Sequence, residues 1–545
     1  MIELKPLEGF PQDLRNPGLD DVAYDYAAHW FGYGTVDGIR LKLHRSHITF
    51  EKLEEDLMGF NRQFRNNDVR ADPVYQYALQ TLRDDYLPAE KLIAGTLGFA
   101  EKHPELPKDR SPGLPWKLKG YKTKRDCLND PEARRIWHTK WDRIGRGKDE
   151  TLPDAALFLR AQIADVGTDK IRSVWGYPID VIVEEGRWFY PFIKWVRDGE
   201  NTIPIAYRAE MANGGMAYLN DMLNCFHDSS YIVGDWSKFD KTIPPWLIRD
   251  CFQIVMDAFD HSKVVDSEGL VWNVNPARSI RRFKRIVRYF INTPVRMCTG
   301  RRFMKLGGVP SGSMWTNLID SMVNTLVWRY LTYHTLGQFP QAELYLGDDS
   351  VVVGPGPVNL DDIAALAFQA FGMVLNVRKS YVTTNPKNVH FLGYYNHDGR
   401  PYKAQDFLIA SFIYPERNVD DNIVRVSRAV GQMWSTLNGG AAVSWHNLVS
   451  HMMTDFGYSA DEINQHIRSK PGFFKYLRIL GIDLSQVTLP ERSYCWQPFI
   501  ERVEAFPVPL KPYRRRKRWK QFQNPGSSDV FWKSCVQTIM FKTVF

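Results

Sequence analysis

The chain is 545 residues long, 44% hydrophobic and 24% charged, with a formal net charge of +8. That length exceeds one ordinary hydrophobic core, so several subdomains are expected. No run of eighteen apolar residues occurs, and Met1-Ile2-Glu3-Leu4-Lys5-Pro6 opens no signal peptide, which argues against a membrane-spanning or secreted protein. The six cysteines, Cys127, Cys225, Cys251, Cys298, Cys495 and Cys535, form no Cys-x-x-Cys pair. That spacing argues against structural zinc and for a reducing compartment. The positive charge is mostly local: Lys511, Arg514, Arg515, Arg516, Lys517, Arg518 and Lys520 supply seven charges within ten residues. The rest of the chain is close to neutral, so bulk electrostatics decide little.

In chain order, Arg110-Ser111-Pro112-Gly113-Leu114-Pro115-Trp116 reads as a loop, because proline and glycine hold the backbone in a turn. Lys170 and Arg172 stand two apart on a segment read as extended, which points both cations to the same side, with Arg160 a further candidate. The stretch Tyr231-Ile232-Val233-Gly234-Asp235 is a short apolar strand ending on a carboxylate. Pro244 and Pro245 suit the first turn of a helix whose apolar face is Leu247, Ile248, Cys251, Phe252 and Val255.

Gly307-Gly308-Val309-Pro310-Ser311-Gly312-Ser313 is a flexible loop feeding a helix. In that helix Ile319, Met322, Val323, Leu326, Val327 and Tyr330 recur at helical spacing, which predicts one core face. Thr316 and Asp320, four apart, share another face. Leu344-Tyr345-Leu346-Gly347-Asp348-Asp349-Ser350-Val351-Val352-Val353 predicts a hairpin with two adjacent carboxylates at its tip. Gly354-Pro355-Gly356-Pro357 then reads as a turn. Asp361 to Gly372 has helical spacing at Ile363, Leu366, Ala367 and Phe371, and leads to Asn376-Val377-Arg378-Lys379-Ser380.

A lone Gly-Asp-Asp is usually a solvated turn, and a lone Asp235 a helix cap. Together they say more. If the two strands are neighbours, Asp235 converges on Asp348 and Asp349, and clustered hard oxygen ligands suit Mg²⁺, with Mn²⁺ as a substitute. Such a cation pair supports in-line phosphoryl displacement.

The ordered set Asp235-(x)4-Asp240, Ser311-Gly312-(x)3-Thr316-(x)3-Asp320 and Gly347-Asp348-Asp349 resembles motifs A, B and C of the viral RNA-dependent RNA polymerases, in particular those of partitiviruses and similar small double-stranded RNA viruses. The resemblance implies an α+β closed right hand. Residues 1–230 are the expected N-terminal extension and fingers, 231–260 palm, 261–305 a fingers insertion, 306–404 palm, and 405–545 a mostly helical thumb with the basic C-terminal region. The palm is expected to be an antiparallel sheet backed by helices.

The resemblance also assigns roles. Asp235, Asp348 and Asp349 are the implied metal ligands and catalytic residues. Lys170-Ile171-Arg172 is similar to motif F, whose cations hold the incoming triphosphate. Asp240, Thr316 and Asp320 sense the ribose; reverse transcriptases place a bulky aromatic where Asp240 stands, so ribonucleotides are the expected substrates. Ser311 and Gly312 lie against the template–nucleotide pair, and Ser111 and Gly113, in a segment like motif G, line the template entrance. Lys379, in a segment similar to motif D, is the implied general acid. Phe391-Leu392-Gly393-Tyr394-Tyr395 resembles the primer-supporting motif E, which places Tyr394 near the primer.

The implied partners are RNA template and product, NTPs, and capsid protein within the particle, for a monomer in the virion interior and host cytoplasm. The basic run at 511–520 suits RNA phosphates or an acidic capsid interior. A reverse transcriptase or other palm polymerase, or a non-catalytic RNA-binding virion protein, is the alternative reading.

Overall fold

The computed structural model describes residues 1–198 and 203–490; the basic run at 511–520 and Cys495 and Cys535 lie outside them. Four antiparallel strands form the sheet that carries both acidic turns, in the order Ala342–Leu346, Asp349–Pro355, Ser229–Gly234, Tyr381–Thr383. Side chains alternate across it. Ile232 and Val352 enter one core beside the helix Thr316–Leu336, whereas Tyr231, Leu344, Val351 and Val353 enter a second core with the C-terminal helices. Burial on both faces explains why these strands read as apolar runs rather than as alternating ones.

The predicted hairpin forms, with Leu346 opposite Asp349 and Gly347 at φ +62°, the first central position of its two-residue turn. Such a turn favours glycine there because a positive φ is costly for a side chain bearing Cβ. The predicted helix after Asp240 also forms, as Pro245–Asp257, with Pro245 in its first turn and Leu247, Ile248, Cys251, Phe252 and Val255 all buried.

Two local expectations are corrected. The helix Thr316–Leu336 does not have a single core face: every residue from Leu318 to Thr332 is buried, including Asp320, Asn324 and Arg329. Asn324 and Arg329 are matched by partners instead of water, whereas Asp320 Oδ1 has none. Arg329 bonds Glu343 and Asp85, each at 2.6 Å, tying the helix to the sheet and to the helix Pro73–Tyr86. The turn expected over residues 354–357 is shorter, because Gly354 and Pro355 end a strand.

A second, five-stranded sheet runs Ile2–Leu4, Arg302–Met304, Pro294–Arg296, Ala155–Ala161, Ile171–Gly176. Its last strand, the cation strand, carries Arg172 and follows Lys170 directly. After the strand Arg400–Tyr402 the described chain is helical, with Gln405–Ile413, Asn422–Ser435, Gly439–Phe456 and Ala460–Ser469 as the main elements. No helix among the described residues is long and apolar enough to cross a membrane.

Candidate active site

Strand register brings the acidic residues together. Ser350 pairs with Gly234 in an antiparallel ladder, so Asp349 and Asp235, each one residue further on, leave the sheet side by side, with Asp348 at the adjoining hairpin tip. The backbone of Asp235 is pinned on both sides: its N–H donates to Ser380 Oγ at 2.9 Å, and its carbonyl accepts from Asn376 N–H at 2.8 Å. Burial raises the Asp235 carboxyl above its ordinary range; Lys379 opposes that, Asp348 adds to it, and Lys170 opposes it. The surrounding protein, then Asp348 and Asp235, push Asp349 up to about 7, against Arg172. Both Asp348 and Asp349 are nonetheless exposed to the cleft, where a cation can reach them.

Among the described residues no three Asp, Glu, His or Cys side chains are drawn to ligand distance. The three aspartates share one cleft as mutually repelling charges. An all-carboxylate donor set whose members disfavour one another's ionised form fits a hard divalent cation, since a cation relieves that repulsion.

Around the triad stand the other predicted residues. Asp240 and Asp320 are both raised by burial, and both feel Asp348. Asp320 is 9% exposed and its Oδ1 has no hydrogen-bond partner, which leaves a buried acceptor unpaired in the neighbourhood of Asp348 and Asp240. Thr316 Oγ1 donates to the Pro310 carbonyl and so closes the loop before the helix rather than pointing free. Lys170 and Arg172 are exposed. Burial of its stem and the nearby Arg172 and Lys379 lower the Lys170 ammonium, while Asp235 and Asp348 raise it. Lys379 is exposed on the turn after Val374–Leu375.

Ser311 and Gly312 meet the cation strand. Ser311 Oγ accepts from Trp175 N–H at 3.0 Å, and a Cβ on Gly312 would lie 1.6 Å from the Trp175 carbonyl oxygen, a gap that only glycine leaves open.

Two residues, Tyr394 and Gly113, are buried where the motifs imply contact with RNA. Tyr394 is fully buried and donates its hydroxyl to the Ser435 carbonyl at 2.6 Å, so its ring packs in the second core and offers no face to a primer; Tyr395 is the exposed one. Gly113 is buried at φ +76°, packed so tightly on Tyr177 and Pro178 that a Cβ would sit 2.8 Å from them. Its glycine is a packing requirement. Ser111 is exposed and its carbonyl accepts from Lys124 Nζ at 2.7 Å. Arg160, opposite Arg172 in the ladder, is ion-paired with Glu416 at 3.2 Å.

Several positioning groups were not singled out from the sequence. Asn324 Nδ2 donates to the carbonyls of Gly347 at 3.0 Å and Asp349 at 3.3 Å, while its Oδ1 accepts from Trp236 Nε1 at 3.0 Å. Ser321 Oγ accepts from Gly347 N–H at 2.8 Å. Asn317, Asp320, Ser321 and Asn324 form a polar stripe at helical spacing, and that stripe was a signal. Glu185, fully buried, accepts from Ser313 Oγ and from Met314 N–H.

The profile of the family described as viral RNA-dependent RNA polymerase matches residues 43–436, which contain the whole of this cleft. The chain belongs to the viral RNA-dependent RNA polymerase family. It is 25% identical over 381 residues to an RNA-directed RNA polymerase of Atkinsonella hypoxylon virus, covering 60% of this chain and 56% of that protein. Against the RNA-directed RNA polymerase of White clover cryptic virus 1 the identity is 24% over 293 residues, 51% of this chain and 48% of the relative. The chain thus spans about half the length of the curated relatives it matches. Among solved structures, the RNA-dependent RNA polymerase of a human picobirnavirus superposes with a TM-score of 0.60 at 15% identity, over 92% of this chain and 94% of that one. A sicinivirus RNA-dependent RNA polymerase superposes with a TM-score of 0.62 at 14% identity, over 88% and 99%. The fold is the right-hand polymerase fold.

Proposed function

We propose that this family member is an RNA-directed RNA polymerase that copies an RNA template from NTPs to replicate and transcribe a viral double-stranded RNA genome. The carrying observation is the register that sets Asp235 beside Asp349 and Asp348, with Lys170, Lys379 and Arg172 near enough to act on those carboxylates. Asp235 and Asp348, with Asp349 as a weaker or indirect ligand, would hold Mg²⁺. Bound there, the metal supplies charge neutralisation at the α-phosphate and favours the ionised primer 3′-hydroxyl.

The chain's own groups do the rest. Lys170 and Arg172 clamp the triphosphate as negative charge gathers on the leaving pyrophosphate. Asp320 Oδ1, buried without a partner, accepts a hydrogen bond from the ribose with Asp240 beside it, and a deoxyribose leaves that acceptor unmet. Lys379 donates a proton to pyrophosphate. The Ser311–Gly312 loop, held on the Trp175 backbone, faces the nascent pair, and the exposed Ser111 faces the template strand. Residues 1–230 and 261–305 serve as fingers, 231–260 and 306–404 as palm, and 405–545 as thumb. A monomer working with capsid protein inside the virion and in the host cytoplasm completes the proposal.

The test is Asp348→Asn, which keeps the side-chain volume and removes the charge. Templated NTP incorporation on single-stranded RNA with Mg²⁺ should fall by about 10³-fold or more at unchanged melting temperature. Near-normal incorporation by the folded variant overturns the assignment, and a product made from dNTPs instead would favour a reverse transcriptase.

A further inference from the structure

The cation strand Ile171–Gly176 is a sheet edge: among the described residues its ladder partner is Ala155–Ala161 alone. An edge strand leaves a row of backbone donors without a strand to pair with. Here side chains take that place. Lys170 N–H donates to Ser46 Oγ at 2.7 Å, Ser173 N–H to Asp56 Oδ2 at 2.8 Å, and Trp175 N–H to Ser311 Oγ at 3.0 Å. Two of the three acceptors come from one N-terminal segment that includes the helix Phe50–Met58.

Asp56 does more than cap the edge. Its other oxygen, Oδ1, accepts from Lys241 Nζ at 2.6 Å, and the two side chains are only 16% and 8% exposed. Lys241 directly follows Asp240, and Ser173 directly follows Arg172. A single carboxylate therefore bridges the residue after the ribose-sensing aspartate and the residue after the triphosphate-binding arginine.

The packing around the bridge is stiff. Phe60, at the end of the same segment, meets Trp175 edge-on with ring centroids 5.1 Å apart, and Lys241 Nζ lies 5.8 Å from the Phe60 centroid. A Cβ on Gly308 would clash with both the Phe60 ring at 2.9 Å and the Asp240 carbonyl at 2.6 Å. Val309 N–H donates to that same carbonyl at 2.7 Å. Asp240 is thus held from the loop before the central helix on one side, and through Lys241 on the other.

We propose that Asp56 is a positioning residue that couples ribose recognition at Asp240 to triphosphate recognition at Arg172, so that both ends of an incoming ribonucleotide are read against one rigid frame. The proposal rests on the polymerase reading. Removing one partner of a buried ion pair leaves the other charge uncompensated, so the bridge cannot be lost silently.

Single-nucleotide addition of ATP and dATP, and equilibrium binding of fluorescent ATP and dATP analogues, should be measured on the full chain. The variants are Asp56→Ala, Asp56→Asn, Lys241→Gln and Asp56→Ala with Lys241→Gln, each checked by melting temperature. Asp56→Asn keeps an acceptor for Ser173 and the side-chain volume. Asp56→Ala is expected to raise KM for ATP about tenfold and to lower the ATP/dATP preference about tenfold, with kcat within about threefold, the size of a lost charge-assisted hydrogen bond. The double variant should match Asp56→Ala alone, since both changes break one bridge, and Asp56→Asn should recover part of the KM while still losing preference. A fall in kcat with KM and preference unchanged, or additive effects in the double variant, overturns the coupling. If the wild type adds no nucleotide, the polymerase reading fails by itself. Analogue binding then still decides the coupling, which stands only if Asp56→Ala narrows the gap between the ATP and dATP analogues.

Discussion

Glu185 shows how a single side chain can set a pH dependence. It is fully buried on the helix Ile179–Asp198, and burial pushes its carboxyl up to about 8 although Ser313 Oγ and Met314 N–H both favour the ionised form. The folded protein therefore keeps a proton that the unfolded chain releases above its ordinary value of 4.5. Linkage fixes the sign: this group's contribution is fully present below that value and is lost as pH rises toward about 8, by up to about 1.4 kcal/mol per pH unit. Glu185→Gln mimics the protonated form and should flatten the curve, so that wild type and variant melt together near pH 5 and the variant melts higher at pH 8. Parallel melting curves across that range would show that Glu185 is ionised in the fold. Asp235, Asp348 and Asp349 were legible in the sequence because each adjoins the end of an apolar strand. Glu185 and Asp56 were not, since their partners lie 128 and 185 residues away and a buried carboxylate looks like any surface one until its partner is placed.

At the scale of elements, the hairpin and the helix Thr316–Leu336 explain each other. Apolar spacing made the helix visible, but it disclosed one face of an element that is buried on all sides, because Asp320, Ser321, Asn324 and Arg329 counted as polar. Ser321, Asn324 and Arg329 are buried because each meets a partner on a neighbouring element, a condition that periodicity cannot register, whereas Asp320 Oδ1 is buried without one. Asn324 makes the case. Three hydrogen bonds lock the hairpin carbonyls and the Trp236 indole to one amide, so Asn324→Ala leaves several buried groups unmet at a cost of about 2–4 kcal/mol. The expected outcome is a lower melting temperature together with a loss in kcat of about tenfold or more, since Asp348 and Asp349 move with the hairpin. A variant that is destabilised yet keeps full kcat would show that the sheet alone fixes the carboxylates. The segment that resembles motif E forms a hairpin, His390–Phe391 paired with Tyr394–His397. Which tyrosine of Tyr394 and Tyr395 faces inward depends on the core beneath it, and the motif did not contain that information.

At the scale of the whole molecule, the first sixty residues link regions that the sequence suggested were separate. Ile2–Leu4 pairs with Arg302–Met304 in the five-stranded sheet, whereas the helix Asp21–Phe31 packs against the C-terminal helix Gly439–Phe456. Tyr26 donates to Asp455 at 2.6 Å, and Phe31 and Trp445 have ring centroids 4.9 Å apart. Asp20 is the junction. It caps its helix through Ala23 N–H at 3.2 Å, its own N–H donates to the Ile413 carbonyl at 2.8 Å, and its carboxylate takes both bonds of Arg425 Nε, at 2.8 and 3.0 Å, with only 5% of the side chain exposed. Without that carboxylate Arg425 keeps Asn422 and the Val419 carbonyl but loses its counter-ion, and the helix loses its cap, for a combined cost of about 2–4 kcal/mol. On the proposed polymerase reading, Asp20 takes no part in the chemistry of one addition, and its ion pair is expected to help hold the N-terminal segment on the C-terminal helices while a long template is copied. Asp20→Ala should therefore speed protease cleavage between residues 5 and 19 and shorten the products of a long template, while the rate of a single addition stays within about twofold of wild type. Equal cleavage and equal product length would mean that the aromatic contacts of Tyr26 and Phe31 hold the segment without the ion pair, and would move the closing contact from Asp20 to the helix face that follows it.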